Sequence, residues 1–355
     1  MLSGARSISA VAVRSMSTFR AVVCEKLLGP PPFASDSLPV KSLPSLKPGK
    51  GEVLLDVKAS AVNYPDILIV QGKYQFKPEG AFSPGSEVSG VVKELGEGVQ
   101  GVKVGDSVLG SAPWGGFAQQ VCIPFQRVMP VPKGMTHPEA SSILMAYGTS
   151  QHALVDRGAL QAGETLLVLG ASGGVGLAAV QIGKALGATV VAAASSEEKL
   201  QLCKENGADI LVNYSDTSDL KAKLKEVGGK KGFDVIYDPV GGDYSEAALR
   251  NIAWKGRHLV IGFAAGGIPS IPLNLPLLKG ASIIGVFWGT FTMKEPERNA
   301  ANLRQIAVWY AEGKIKPFVS KIYPLEQAYQ ALNDMAQRKV TGKVILAPDV
   351  EPSKL

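Results

Sequence analysis

Local metal-binding motifs are missing from this chain. Its 355 residues include only three cysteines, Cys24, Cys122 and Cys203, and three histidines, His137, His152 and His258. None falls into a Cys-x-x-Cys or His-x-x-x-His spacing, so no zinc site assembles from neighbouring residues. Thiols odd in number and far apart fit a reducing compartment and small buried hydrophobes better than a disulfide framework. No apolar run reaches the roughly 20 residues that a bilayer-spanning helix needs. Clustered basic charge is absent too: the net charge is +6, and the lysines are scattered among acids. That pattern argues against a nucleic-acid partner, and a mildly basic cleft for a small anion accounts for it. There is no internal repeat and no low-complexity segment.

What is present describes a soluble globular protein: 46% hydrophobic and 19% charged residues, with length enough for two domains. Forty glycines and 23 prolines announce many turns. The organising stretch is Glu164-Thr-Leu-Leu-Val-Leu-Gly-Ala-Ser-Gly-Gly-Val-Gly176. Its apolar run Leu166 to Leu169 reads as a strand buried on both faces, and a helical pattern runs from Leu177 to Leu186. Between them the dinucleotide fingerprint G-x-G-x-x-G falls on Ala171, Gly173 and Gly176, with alanine replacing the first glycine. Gly170, Ser172, Gly174 and Val175 complete the turn.

A second strand, Ala188 to Ala194, ends in Ala193-Ala194-Ser195-Ser196 with Lys199 one turn on. A dinucleotide without a 2′-phosphate usually meets an acid here, whereas a 2′-phosphate needs donors and a cation. Ser195 and Lys199 therefore favour NADPH over NADH. The alternative reading makes Ser196 an ordinary N-cap and Lys199 part of a solvated face beside Glu197 and Glu198.

Short strands separated by proline and glycine fill 20–25, 52–61, 88–95, 107–109 and 116–123, the pattern of a mostly antiparallel barrel. Beyond Thr149, strands at 166–169, 189–193, 210–213, 235–238, 258–262 and 282–287 alternate with helices at about 175–186, 197–206, 218–227, 243–252 and 296–312. That alternation predicts a doubly wound parallel sheet. A last helix, 325–338, and a strand, 342–347, are expected to return to the first domain.

The first twenty residues carry Arg6, Arg14 and Arg20, five serines and no acid. That is the composition of a mitochondrial transit peptide, with a disordered cytoplasmic tail as the alternative.

Along most of its length the chain resembles the medium-chain dehydrogenase/reductase superfamily, in its zinc-independent quinone oxidoreductase (zeta-crystallin-like) branch. The matching segments are Asn63-Tyr-Pro-Asp66, Gln71-Gly-Lys-Tyr74, Pro84-Gly-Ser-Glu-Val-Ser-Gly90, Gly105-Asp106, Gly170 to Gly176, Asn206-Gly-Ala208 and Thr341-Gly-Lys-Val344. The resemblance implies an α/β chain: a GroES-like β-barrel catalytic domain (19–144 and 313–355), an NADP-binding Rossmann domain (145–312), a transit peptide over 1–18, and a homodimer paired through the Rossmann sheets. Where the zinc alcohol dehydrogenases of the superfamily carry a metal-binding cysteine and histidine, this chain has Asn63 and Ser86, and it has no counterpart of their structural zinc lobe. Without a Lewis acid, acceptors that take hydride readily are expected, quinones or enones.

The resemblance further implies that Tyr74 stabilises or protonates the developing oxyanion, or merely packs, and that Asn63 hydrogen-bonds cofactor or substrate, or holds a turn. It sets Ser195, Lys199 and Tyr214 around the 2′-phosphate, with Tyr214 capping a surface loop as the alternative. Thr149 and the backbone around Phe263 would face the nicotinamide, and Phe287 and Trp288 its carboxamide, with a plain core role as the alternative for Phe263 and Trp288. A mitochondrial enoyl-thioester reductase, and a non-enzymatic cofactor-binding or RNA-touching protein, stay open as alternatives.

Overall fold

The computed structural model describes residues 17–216 and 219–350. Fifteen strands fall within them: β1 (Thr18–Val22), β2 (Val40–Pro44), β3 (Glu52–Val62), β4 (Glu87–Leu95), β5 (Ser107–Ser111), β6 (Gln120–Pro124), β7 (Val128–Pro130), β8 (Thr165–Leu169), β9 (Thr189–Ala194), β10 (Ile210–Asn213), β11 (Phe233–Asp238), β12 (Ile252–Val260), β13 (Ser282–Gly285), β14 (Val319–Tyr323) and β15 (Lys343–Leu346). They form three sheets. One pairs β1 with β2; the second runs β14-β15-β3-β4-β5-β7 with β6 beside β3; the third runs β10-β9-β8-β11-β12-β13.

All pairs of the third sheet are parallel. Parallel strands covered on both faces must be apolar, and the central runs of β8 and β9 meet that requirement: Leu166 to Leu169 and Val190 to Ala193 are buried to the last side chain. Strand order reverses between β8 and β11, and ligands of such sheets bind at that switch point. The glycine-rich turn leaves β8 at that point, and the helix Gly174–Ala185 follows.

The second sheet is antiparallel except for β14 against β15. The C-terminal strand β15 crosses back to pair with β3. On its way it is stitched to the glycine turn: Gly342 bridges Gly173, and the Gly342 N–H donates to the Ser172 carbonyl at 2.8 Å. Gly342 has φ +53°, and a Cβ there would lie 2.4 Å from the Phe318 carbonyl oxygen, so only glycine fits.

Most expected elements form within two or three residues of their expected ends. The helix expected at 243–252 stops at Leu249, and β12 begins early, at Ile252. The pairing of β11 with β12 slips between Phe233 and Val235, and Lys255 takes φ +60°. This bulged entry interrupts the period-2 signal that announces a strand. Residues 1–16 of the expected transit segment lie outside the described residues.

Candidate functional site

Asn63-Tyr-Pro-Asp66 opens the helix Tyr64–Val70. Asn63 takes the extended N-cap conformation, proline follows in the first turn, and the Asp66 carboxylate accepts from the Asn63 N–H at 2.7 Å. Capping thereby fixes the Asn63 side chain in a buried cluster. Its amide donates to Glu87 Oε2 at 3.0 Å and to the Ala61 carbonyl at 3.3 Å, and its Oδ1 accepts from Lys343 Nζ at 2.5 Å. Lys343 also reaches Glu87 Oε2 at 3.4 Å, and Glu87 Oε1 accepts from the Met145 N–H at 3.0 Å. Lys343 and Glu87 are 5% and 1% exposed in their side chains, so each charge depends on the other. Asp66 is fully enclosed beside them, with Ser86 Oγ at 3.4 Å, and burial pushes its carboxyl up to about 7.

The glycine turn faces this cluster. Gly170 has φ +57°, and a Cβ on Gly176 would lie 2.3 Å from the Gly170 carbonyl oxygen and 2.8 Å from Ala171. The helix therefore starts tight against the strand end, its free N–H groups facing outward. The backbone approach that glycine normally grants at the first fingerprint position is made by Gly170, and Ala171 is fully buried.

At the end of β9, Ser196 does cap the helix Glu197–Glu205, accepting from the Lys199 N–H at 3.3 Å. The capping reading holds for Ser196, but Lys199 turns away from the solvated face. Its ammonium donates to Ser195 Oγ at 3.2 Å and to the Arg338 carbonyl at 3.0 Å. Burial raises the Tyr214 phenol, which hydrogen-bonds with Ser195, and its ring packs edge-on to Tyr244 with ring centroids 5.0 Å apart. Arg338, at φ +58°, lies just past the helix Ala328–Ala336.

These groups line one cavity of about 220 Å³ between the two large sheets. Asn63, Ser172, Gly173, Gly174, Val175, Ser195, Lys199 and Tyr214 all border it, as do Tyr244, Val240, Arg338 and Lys343. No cysteine or histidine is among the lining residues. Val240 is held there by Asp238, which accepts from the Val240 and Gly241 N–H groups at 2.9 Å each. Burial acts to raise the Asp238 carboxyl, but hydrogen bonds from His258, Ser245 and Gly241 outweigh it and hold it below the usual carboxylate range.

Of the remaining predicted residues, Ala171 and Gly176 lie under the turn. Thr149 lies in the helix Leu144–Gln151, where a Cβ on the neighbouring Gly148 would lie 2.8 Å from the buried Trp288 ring, and Trp288 donates to Asn299 Oδ1 at 3.2 Å. Phe287 is 43% exposed, and Phe263 packs over Gly241. Tyr74 is partly buried near Asp66, its ring 6.1 Å from that of Phe76, outside the cavity lining.

Sequence reasoning missed Arg338, Tyr244 and Lys343 as site residues. Only Lys343 carried a signal, its place in Thr341-Gly-Lys-Val344. A larger open groove of about 990 Å³ runs along β14, but it contains none of the predicted residues, and its Lys184 pairs with Asp209.

Comparison with known proteins agrees with this geometry. Residues 49–133 match the family model described as alcohol dehydrogenase GroES-like domain, and residues 174–305 the one described as zinc-binding dehydrogenase. Quinone oxidoreductase-like protein 2 of Bos taurus is 37% identical, over 93% of this chain and 92% of its own length. The quinone oxidoreductase of Rattus norvegicus is 35% identical over 84% and 90%. Among solved structures, a mycobacterial protein in complex with NADPH superposes with TM-score 0.84 at 29% identity, covering 93% of this chain and all of the other. A barrel-like sheet, a doubly wound sheet and a glycine turn between them, matched at this level over nearly the whole length, make the chain an oxidoreductase of the quinone oxidoreductase branch of the medium-chain dehydrogenase/reductase superfamily.

Proposed function

We propose that the chain is an NADPH-dependent, zinc-independent reductase of quinones and enones. The observation that carries this reading is the convergence of Ser195, Lys199, Tyr214 and Arg338 at the cavity end where β9 and β10 finish. Two cations and two hydroxyls meeting there form a receptor for a phosphate that NADH lacks. The glycine turn and the helix start at Gly174 fit the pyrophosphate, since Gly173 and Gly174 border the cavity with no side chain. A complex of a structural relative with NADPH supports the same cofactor.

When bound, a reduced nicotinamide supplies hydride, and this chain's own groups bind, orient and stabilise charge. Asn63 and Ser86 stand where the metal-dependent relatives place thiolate and imidazole, and Asn63 and Glu87 engage Lys343. That donor set suits an ammonium and offers a zinc ion only Glu87. Acceptors that delocalise charge onto oxygen fit such a site. Tyr74, near Asp66 at the edge of the helix Tyr64–Val70, serves on the acceptor side. Replacing Tyr74 by Phe should lower kcat with NADPH affinity unchanged, and unchanged turnover would reduce Tyr74 to packing.

Two further readings belong with this one. The exposed Ile283 on the edge strand β13, with the exposed Leu277 and Leu278 on the helix Asn274–Lys279 just before it, support a homodimer built on that edge. The arginine- and serine-rich, acid-free start supports import into the mitochondrial matrix.

The test of the cofactor assignment is the Lys199→Ala variant. Loss of a charge-assisted bond should weaken NADPH by about 1.5–3 kcal/mol and leave NADH nearly untouched. Equal weakening of both would contradict the 2′-phosphate role.

A further inference from the structure

The hydrogen-bond inventory around Asn63 singles out a different residue for contact with the acceptor. Both donors of the Asn63 amide are committed, one to Glu87 Oε2 and one to the Ala61 carbonyl. Glu87 is committed as well, through Met145, Asn63 and Lys343. Lys343 has three ammonium hydrogens and two acceptors among the described residues, Asn63 Oδ1 and Glu87 Oε2. One N–H is left over, on a side chain 5% exposed that borders the cavity. The stem is confined too, since a Cβ on Gly174 would lie 2.8 Å from Lys343 Cδ. The strand carrying it is pinned to the turn through Gly342.

We propose that this remaining N–H of Lys343 meets the oxygen that gains negative charge as the acceptor is reduced, so that a fixed ammonium does the work a metal does elsewhere. The proposal rests on the reductase reading. Two electrons and one hydrogen reach the acceptor as hydride from the reduced nicotinamide. A new C–H bond at an enone's β-carbon, or a bond to the quinone, forms as the nicotinamide C–H bond breaks, and the π pair moves onto the acceptor oxygen. The completing proton comes from water after release, so Lys343 keeps its three hydrogens. A preorganised donor in a water-poor site is worth about 10²–10³ in rate for a single oxyanion contact.

The test uses Lys343→Met, with the double variant Lys343→Met/Glu87→Gln as the folded control, because Lys343→Met alone strands a buried carboxylate. Three quantities are measured: NADPH affinity by fluorescence titration, the apparent pKa of 4-nitrophenol bound with saturating NADP⁺, and kcat with 9,10-phenanthrenequinone. Loss of the cation should leave NADPH affinity within about threefold, raise the bound phenol's pKa by about one unit, and lower kcat by about tenfold or more in both variants. NADPH affinity falling tenfold with phenol pKa unchanged would assign Lys343 to the cofactor's phosphates and overturn the proposal. Full turnover by the folded double variant would overturn it as well. A wild-type protein that oxidises NADPH with no quinone or enone would instead bring down the reductase reading, and this proposal with it.

Discussion

Asp66 is the residue whose titration the fold changes most usefully. Burial raises its carboxyl from 3.8 to about 7, against opposing help from the Asn63 N–H and Lys343. The folded chain therefore holds this proton more tightly than the unfolded chain. The stability it contributes is complete below 3.8 and is lost as pH rises through about 7. An Asp66→Asn variant lacks that dependence. The melting temperature of the wild type, measured relative to Asp66→Asn, should fall between pH 5 and 8; a difference that stays flat or rises would show that Asp66 is ionised in the fold.

Arg338 makes a second argument at this scale. A non-glycine residue at φ +58° costs about 1–2 kcal/mol, and such strain persists where a side chain is needed. Arg338→Gly should raise thermal stability while weakening NADPH severalfold. Improved stability with NADPH affinity untouched would make Arg338 a mere helix terminus.

The element that decides cofactor binding is the strand, turn and helix from β8 to Ala185. A methyl group at Gly176 meets backbone atoms at 2.3 and 2.8 Å, so the helix has to shift off the strand. Gly176→Ala should cost about 1–3 kcal/mol of stability and lower dinucleotide affinity at least tenfold, as read by thermal melts and NADPH titration. Wild-type behaviour in both would deny the close approach.

This element was readable from residues alone because the signals are local: an unbroken apolar run and glycines at fixed offsets. The Ser195–Lys199 pair was legible for the same reason, lying four residues apart on one helix start. Lys343 and Arg338 were not, because their positions depend on a tail strand that pairs with β3 nearly 300 residues earlier, and no periodicity reports such a pairing. The early start of β12 was hidden by its bulge at Lys255. Tyr74 shows the converse. The resemblance alone offers both an acceptor-side role and plain packing for it, and its place beside Phe76 and the cavity lining comes from the fold of the loop after the helix Tyr64–Val70.

For the whole molecule, the open edge of β13 and the apolar residues beside it are a liability unless covered. The proposed homodimer covers them. Light scattering should give about twice the mass of the 37.2 kDa chain, and Leu277→Glu with Ile283→Lys should halve it. A monomeric wild type at micromolar concentration would remove the dimer. Burial pushes the thiols of Cys24 and Cys122 up to about 11, with Glu52 and Glu94 adding to the shift at Cys122, and Cys203 up to about 12, which disfavours the thiolate at each.

The two domains meet at the cavity, and the central claim is about what reacts between them. The most direct measurement is the oxidation of NADPH and of NADH, each followed at 340 nm with 9,10-phenanthrenequinone and with crotonyl-CoA as acceptor, on metal-chelated protein. The account predicts quinone-dependent oxidation, at least tenfold faster with NADPH at limiting cofactor and undiminished by chelation. Preference for NADH, loss of turnover on chelation, or turnover of crotonyl-CoA alone would contradict it.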